Sequence, residues 1–112
     1  MNQSLQNNNA EKNLVLLKKR ALYYLGKREY SRKELYEKIT PFSESLELTR
    51  QQVNQILTEL ESKDWLSDRR FADQFIFSKK RKFGLKKMEF ELKMHGVNEI
   101  IIHNALNEIK SE

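Results

Sequence analysis

The sequence predicts an all-α fold: two three-helix units in tandem, about six helices, forming an elongated body. Three observations predict it. The 112 residues include one proline and three glycines, so long segments run without a breaker. Apolar residues recur at helical spacing in six stretches, and no stretch alternates with the period of two that a strand requires. The chain also resembles itself. Tyr30, Lys33, Leu35 and Ile39 find like residues 53 positions on, at Phe83, Lys86, Met88 and Leu92. Val53-Asn54-Gln55-Ile56 recurs 44 positions on as Val97-Asn98-Glu99-Ile100, and the nine-residue difference falls in segment 41–48 of the first copy.

Residues 1–11 read as a flexible polar tail, 12–66 as the first repeat and 67–112 as the second. The first helix is expected to begin near Lys12 or Asn13, with Leu14, Leu17, Ala21, Tyr24 and Leu25 on one face and Gly26 weakening its end. Ser31-Arg32-Lys33-Glu34 matches a capping box and starts a short helix with Leu35 and Ile39 inward. Pro41 is expected to stop that helix and open a polar loop over 41–48. Thr49-Arg50-Gln51-Gln52 is a second capping box, and Val53, Ile56, Leu57 and Leu60 give the cleanest apolar stripe in the chain. Asp64 is placed to take a left-handed turn.

Ser67 caps a fourth helix with Phe71, Ala72, Phe75 and Ile76 inward, running to about Lys82, and Gly84 breaks it. Leu85, Met88 and Leu92 define a fifth helix, with Gly96 as its C-terminal cap. Asn98 caps a sixth, with Ile101, Ile102, Ala105, Leu106 and Ile109 inward. Neither unit buries much alone, so stacking is expected to give one continuous core. Trp65 is expected to plug the junction between the units.

Composition narrows function. Cysteine is absent, which excludes disulfides, thiolate metal sites and a cysteine nucleophile. No apolar run approaches the roughly 20 residues of a membrane span, and the N-terminus lacks the apolar segment of a signal peptide. The expected location is the cytoplasm, with no membrane partner. Net charge is +5, which fits a polyanionic or acidic partner.

Catalytic groups are sparse. His95 and His103 stand eight apart with Gly96 between them, which is not the i, i+4 spacing of a helical metal pair. His95 suits the end of a helix, where its charge opposes the dipole. Three scattered glycines build no phosphate loop, and Ser31 and Ser67 are accounted for as caps. No cofactor, metal or catalytic residue is expected, and the chain reads as a non-enzyme.

The stronger signal lies at the joint between first and second helix of each unit. Lys27, Arg28, Arg32 and Lys33 surround the first joint. Lys79, Lys80, Arg81, Lys82, Lys86 and Lys87 surround the second, with no acidic residue across 79–87. A single basic run is usually a solvated helix face. Recurrence at an equivalent site favours a ridge that tracks a phosphate backbone or an acidic groove. Tyr23 and Phe77 fall off the apolar faces and are the candidates for base stacking.

Three segments in order then match a known pattern: Tyr30-Ser31-Arg32-Lys33-Glu34-Leu35, Asp68-Arg69-Arg70-Phe71-Ala72, and Gly84 with Met88, Glu91-Leu92 and Gly96-Val97. Together, across about 15–106, they resemble the RecX family of bacterial regulatory proteins. The resemblance implies tandem three-helix repeats and a regulator that lies in the groove of the RecA filament, restraining its ATPase, strand-exchange and coprotease activities. Some members bind DNA, so single- or double-stranded DNA is a further expected partner, and the chain is expected to be a monomer. Arg32, Glu34, Asp68 and Arg70 are the charged motif residues that the resemblance carries over. Glu34 and Asp68 stand at helix starts, where acids are stabilising in any case. The binding surface is therefore assigned to the two joints, with Arg69 and Arg70.

The chain departs from the family pattern in two ways. It has two repeats where three are usual, which should shorten the footprint, and Asp64 stands where glycine is common. Two other functions remain open on the sequence: a small basic helical DNA-binding module and a purely structural adaptor. Against the DNA module, no helix clusters Asn, Gln and Arg at its N-terminus to read base edges.

Overall fold

The structure, a computed structural model, describes the backbone of residues 2–110 and the side chains of residues 9–109. Six helices follow in order: α1 Asn2–Leu25, α2 Arg32–Ser45, α3 Arg50–Ser62, α4 Asp68–Lys79, α5 Leu85–Met94 and α6 Glu99–Lys110. No strand occurs among the described residues. The body measures 62 × 23 × 23 Å, an elongated shape. No helix is long and apolar enough to cross a membrane.

Four caps form as the sequence predicts. Ser31 and Thr49 each complete a capping box, with Glu34 and Gln52 reaching back. The Ser67 side chain accepts from the Arg70 amide, and the Asn98 side chain accepts from the Ile101 amide at 2.9 Å. Helix α2, α3 and α5 all end in the same way. The residue after each C-cap is left-handed: Glu47 at φ 57°, Asp64 at 61° and Gly96 at 84°. The next amide returns to a carbonyl five residues back, as Leu48 to Ser43, Trp65 to Leu60 and Val97 to Leu92.

Three boundaries differ from expectation. Helix α4 ends at Lys79 and not near Lys82, because 80–82 turn toward α5, with the Lys82 amide on the Lys79 carbonyl. The segment read as a polar tail is helical from Asn2. No glycine or proline interrupts 2–13, and once the packed part of α1 nucleates the helix, extension adds one hydrogen bond per residue. Met1 lies outside the described residues.

Pro41 does not stop α2, which runs on to Ser45. The proline removes one backbone donor, but neighbouring hydroxyls and packing hold the helix. Thr40 Oγ1 donates to the Tyr36 carbonyl at 2.6 Å, and the buried Ser43 donates to the Thr40 carbonyl at 2.7 Å. Phe42, Leu46 and Leu48 pack on the first core, and the Arg20 guanidinium stacks 3.9 Å above the Phe42 ring. Asn13 on α1 also donates to the Leu46 carbonyl at 3.1 Å. The first copy holds four extra residues here and not nine, since α2 and α5 start 53 positions apart and α3 and α6 start 49 apart. These four lengthen α2 to 14 residues against the 10 of α5 instead of forming a loop.

The core is not continuous. Leu17, Ala21, Leu35, Ile39, Val53, Leu57 and Leu60 form one buried cluster from α1, α2 and α3. Phe71, Ala72, Ile76, Met88, Leu92, Ile102 and Ala105 form a second from α4, α5 and α6. Trp65 does not plug the junction: it is 46 % exposed, with the Lys63 ammonium 5.0 Å from its ring, while Leu66 is 2 % exposed and belongs to the first core. The left-handed turn at Asp64 points the first residue of the pair outward and the second inward.

Candidate functional site

The two joints have different jobs in the structure. At the first, the N-terminus of α2 meets the N-terminus of α4 and the C-terminus of α5. The Ser31 hydroxyl, which accepts from Glu34, also donates to the His95 carbonyl at 2.7 Å. Lys33 Nζ donates to the Met94 carbonyl at 3.0 Å, so a cation caps the negative end of α5. The Arg32 amide donates to Asp68 Oδ1 at 2.8 Å. Arg70 Nε donates to Glu29 Oε2 at 2.9 Å, and its Nη1 lies 3.2 Å from Asp64. These contacts form a polar clasp between the two units.

Most motif cations are thus committed to structure. The Arg32 guanidinium donates to Thr58, Glu61 and both oxygens of Asn54, tying α2 to α3. Arg69 bridges Asp73 at 3.1 Å and Glu108 at 2.7 Å, tying α4 to α6. Hydrogen bonds to Glu108 and Asp73 raise the pKa of Arg69, and the bond to Glu29 raises that of Arg70. Burial pushes the Asp68 carboxyl above the usual aspartate range, against the hydrogen bond from Arg32 that lowers it. Elsewhere Lys18 holds Glu59 below its usual range and links α1 to α3 at 2.9 Å.

Lys27 and Arg28 remain on the outer side of the first joint. Lys27 lies 5.0 Å from the Tyr23 ring, and Arg28 stacks 3.7 Å above Tyr30 with Glu34 at 3.4 Å. At the second joint, Phe83 sits between Lys79 at 5.6 Å and Lys87 at 4.2 Å. Lys80 lies 5.2 Å from Phe77. Arg81, Lys82, Lys86 and Lys87 are exposed. Gly84 starts α5 at an ordinary φ of −72°, with no side-chain cap and open space beside it.

The joints meet at one place. A groove of about 400 Å³ is lined by Arg28, Glu29 and Glu34 from the first unit and by Phe71, Phe75, Lys79 and His95 from the second. His95 stands edge-on to Phe71 at 5.2 Å, with Nδ1 3.4 Å from Glu34. Arg28 and Lys79 thus share this groove, whereas Lys33 is turned into the clasp and the Arg32 guanidinium onto α3. Sequence reasoning missed the clasp residues Ser31 and His95 because capping and dipole arguments already accounted for them. Of the stacking candidates, Tyr23 is 59 % exposed and Phe77 75 %, each beside a lysine. Among the described residues, no three His, Asp or Glu side chains gather to hold a metal.

Comparison with known proteins decides the family. Residues 67–106 match the family model described as RecX, second three-helix domain. The regulatory protein RecX of Chromobacterium violaceum is 41 % identical over 91 residues, covering 81 % of this chain and 57 % of that protein. The chain belongs to the RecX family. The regulatory protein RecX of Ralstonia nicotianae is 38 % identical over 96 residues, covering 86 % of this chain and 55 % of that protein. This RecX-family chain therefore spans a little over half the length of those relatives. A crystal structure of RecX from Lactobacillus salivarius superposes with a TM-score of 0.73 at 22 % identity, over 86 % of this chain and 61 % of that one. A second crystal structure, of a regulatory protein RecX, gives 0.82 at 16 % identity, over 97 % and 53 %. Both share the RecX fold of stacked three-helix units seen here.

Proposed function

We propose that this chain is a regulatory protein that binds the RecA recombinase filament and inhibits its ATPase, recombinase and coprotease activities by occupying the filament groove, with no chemistry of its own. One observation carries the assignment of its surface. The clasp and helix ties use Arg32, Lys33, Arg69 and Arg70, while the second joint holds Arg81, Lys82, Lys86 and Lys87 in solvent. The binding surface is the second joint, extended across the inter-unit groove to Arg28 and Lys27. The elongated body supports the reading, since a rod 23 Å wide suits a groove better than a globular shape does. The regulatory naming of its relatives supports it too.

The test is RecA ATP hydrolysis on single-stranded DNA, titrated with the chain as a monomer in solution. Hydrolysis falls with added protein if the reading holds. No change at several-fold excess contradicts it. Tight, sequence-selective binding to duplex DNA without RecA would instead favour the basic DNA-binding module.

A further inference from the structure

Helix α5 turns Met88 and Leu92 into the second core. Its opposite side carries Lys86, Phe90 and Met94, spaced four apart and so aligned on one face. Phe90 is 60 % exposed and Met94 58 %. These side chains add nothing to the core, and an apolar pair on the pole facing water marks a contact surface. The first unit supplies the comparison. The residues 53 positions earlier are Lys33, Glu37 and Pro41, and neither Glu37 nor Pro41 is a large apolar side chain. The repeat does not require Phe and Met at this pole.

The charge on this face is graded along the helix. Its N-terminal end adjoins the joint, where 79–87 holds six basic residues and no acid. The first amides of α5 are not capped by the Gly84 side, so the positive helix end adds to the lysines. Its C-terminal end is apolar.

We propose that this face of α5, with the basic joint leading into it, docks an amphipathic segment of a protein partner that is acidic at one end and carries apolar residues four apart at the other. The proposal rests on the reading that the chain acts on a protein, and it names the chemistry of the contact. A nucleic acid fits less well. Beyond the joint the face presents Phe90 and Met94 where a phosphate backbone would need further cations, and Lys93 beside them is paired with Glu89 and Glu99. Met94 offers no ring for a base to stack on.

The test uses the full chain, labelled for NMR, with three probes: a synthetic helical peptide with leucines four apart and a glutamate-rich end, the same peptide with lysine for glutamate, and an oligothymidine strand. The acidic peptide shifts amides 86–94. The lysine peptide and the oligothymidine leave Phe90 and Met94 unmoved. The double variant Phe90→Ser/Met94→Ser keeps its helical circular dichroism and loses the response, and its affinity for the RecA filament falls at least about tenfold. An equal response in the variant, a response of this face to oligothymidine, or self-association of the wild type through it overturns the proposal. If the wild type does not bind RecA, the functional reading fails, and the peptide result alone decides the docking face.

Discussion

At the residue scale, Asp68 shows how one carboxylate can be both useful and costly. Its oxygen accepts from the Arg32 amide and joins the two units, but burial raises its pKa. A raised pKa means the folded state holds the proton more tightly than the unfolded chain. That contribution to stability is fully present below the ordinary aspartate pKa and is lost as pH rises through the raised value. Asp68→Asn keeps an acceptor and removes the charge. Its stability at pH 7 should equal or exceed that of the wild type, and its pH dependence should flatten in the window above the ordinary aspartate pKa. Asp68→Ala, which leaves the Arg32 amide without its partner, should cost about 1–3 kcal/mol. Denaturant melts of both variants at pH 4 and pH 7 check this. Ser31 was legible in the sequence only as a cap, and Asp68 only as a charged motif residue at a helix start. Their second contacts lie 64 and 36 residues away, and no local pattern encodes such a distance.

At the element scale, the helix ends give opposite predictions from one geometry. Glu47 and Gly96 both occupy the left-handed position after a helix. Glu47→Gly removes a backbone penalty and should stabilise by about 1 kcal/mol. Gly96→Ala introduces that penalty and also places a Cβ 2.7 Å from the Lys33 Cβ. It should destabilise by about 2 kcal/mol or more and push the units apart, since Lys33 belongs to the clasp. Thermal melts of the two variants should move in opposite directions. Gly96 as a C-terminal cap was readable in advance, as were the four N-caps and the apolar stripes, because each depends on residues within one turn. The passage of α2 through Pro41 was not. It depends on Phe42, Leu46 and Leu48 finding a core built by α1 and α3, and that tertiary burial outweighs one missing hydrogen bond.

At the scale of the whole molecule, two apolar cores are joined through a polar interface. Interfaces of this kind permit relative motion of the units. Arg70→Ala combined with Lys33→Ala should leave both helix sets folded and loosen their mutual orientation. Small-angle scattering should then report a wider distribution of sizes, with far-ultraviolet circular dichroism little changed. The repeat was legible from the 53-residue spacing, which relates α2 to α5, but the 44-residue spacing set the third helices in the wrong register. The caps Thr49 and Asn98 stand 49 apart, so Val53 inside α3 corresponds to Ile102 and not to Val97. The separation of the cores was not legible, because Ser31, Arg32 and Lys33 read as a helix start and a basic joint. Only the packing shows that the second unit covers one joint and leaves the other in solvent.

That asymmetry is the central claim, and one measurement tests it most directly. The triple variant Arg81→Glu/Lys82→Glu/Lys86→Glu should be compared with the wild type in RecA ATP hydrolysis on single-stranded DNA. All three side chains are exposed, so the variant should keep the wild-type helical signal. The account predicts that inhibition is lost at concentrations where the wild type is fully inhibitory. Undiminished inhibition by a folded triple variant would contradict it.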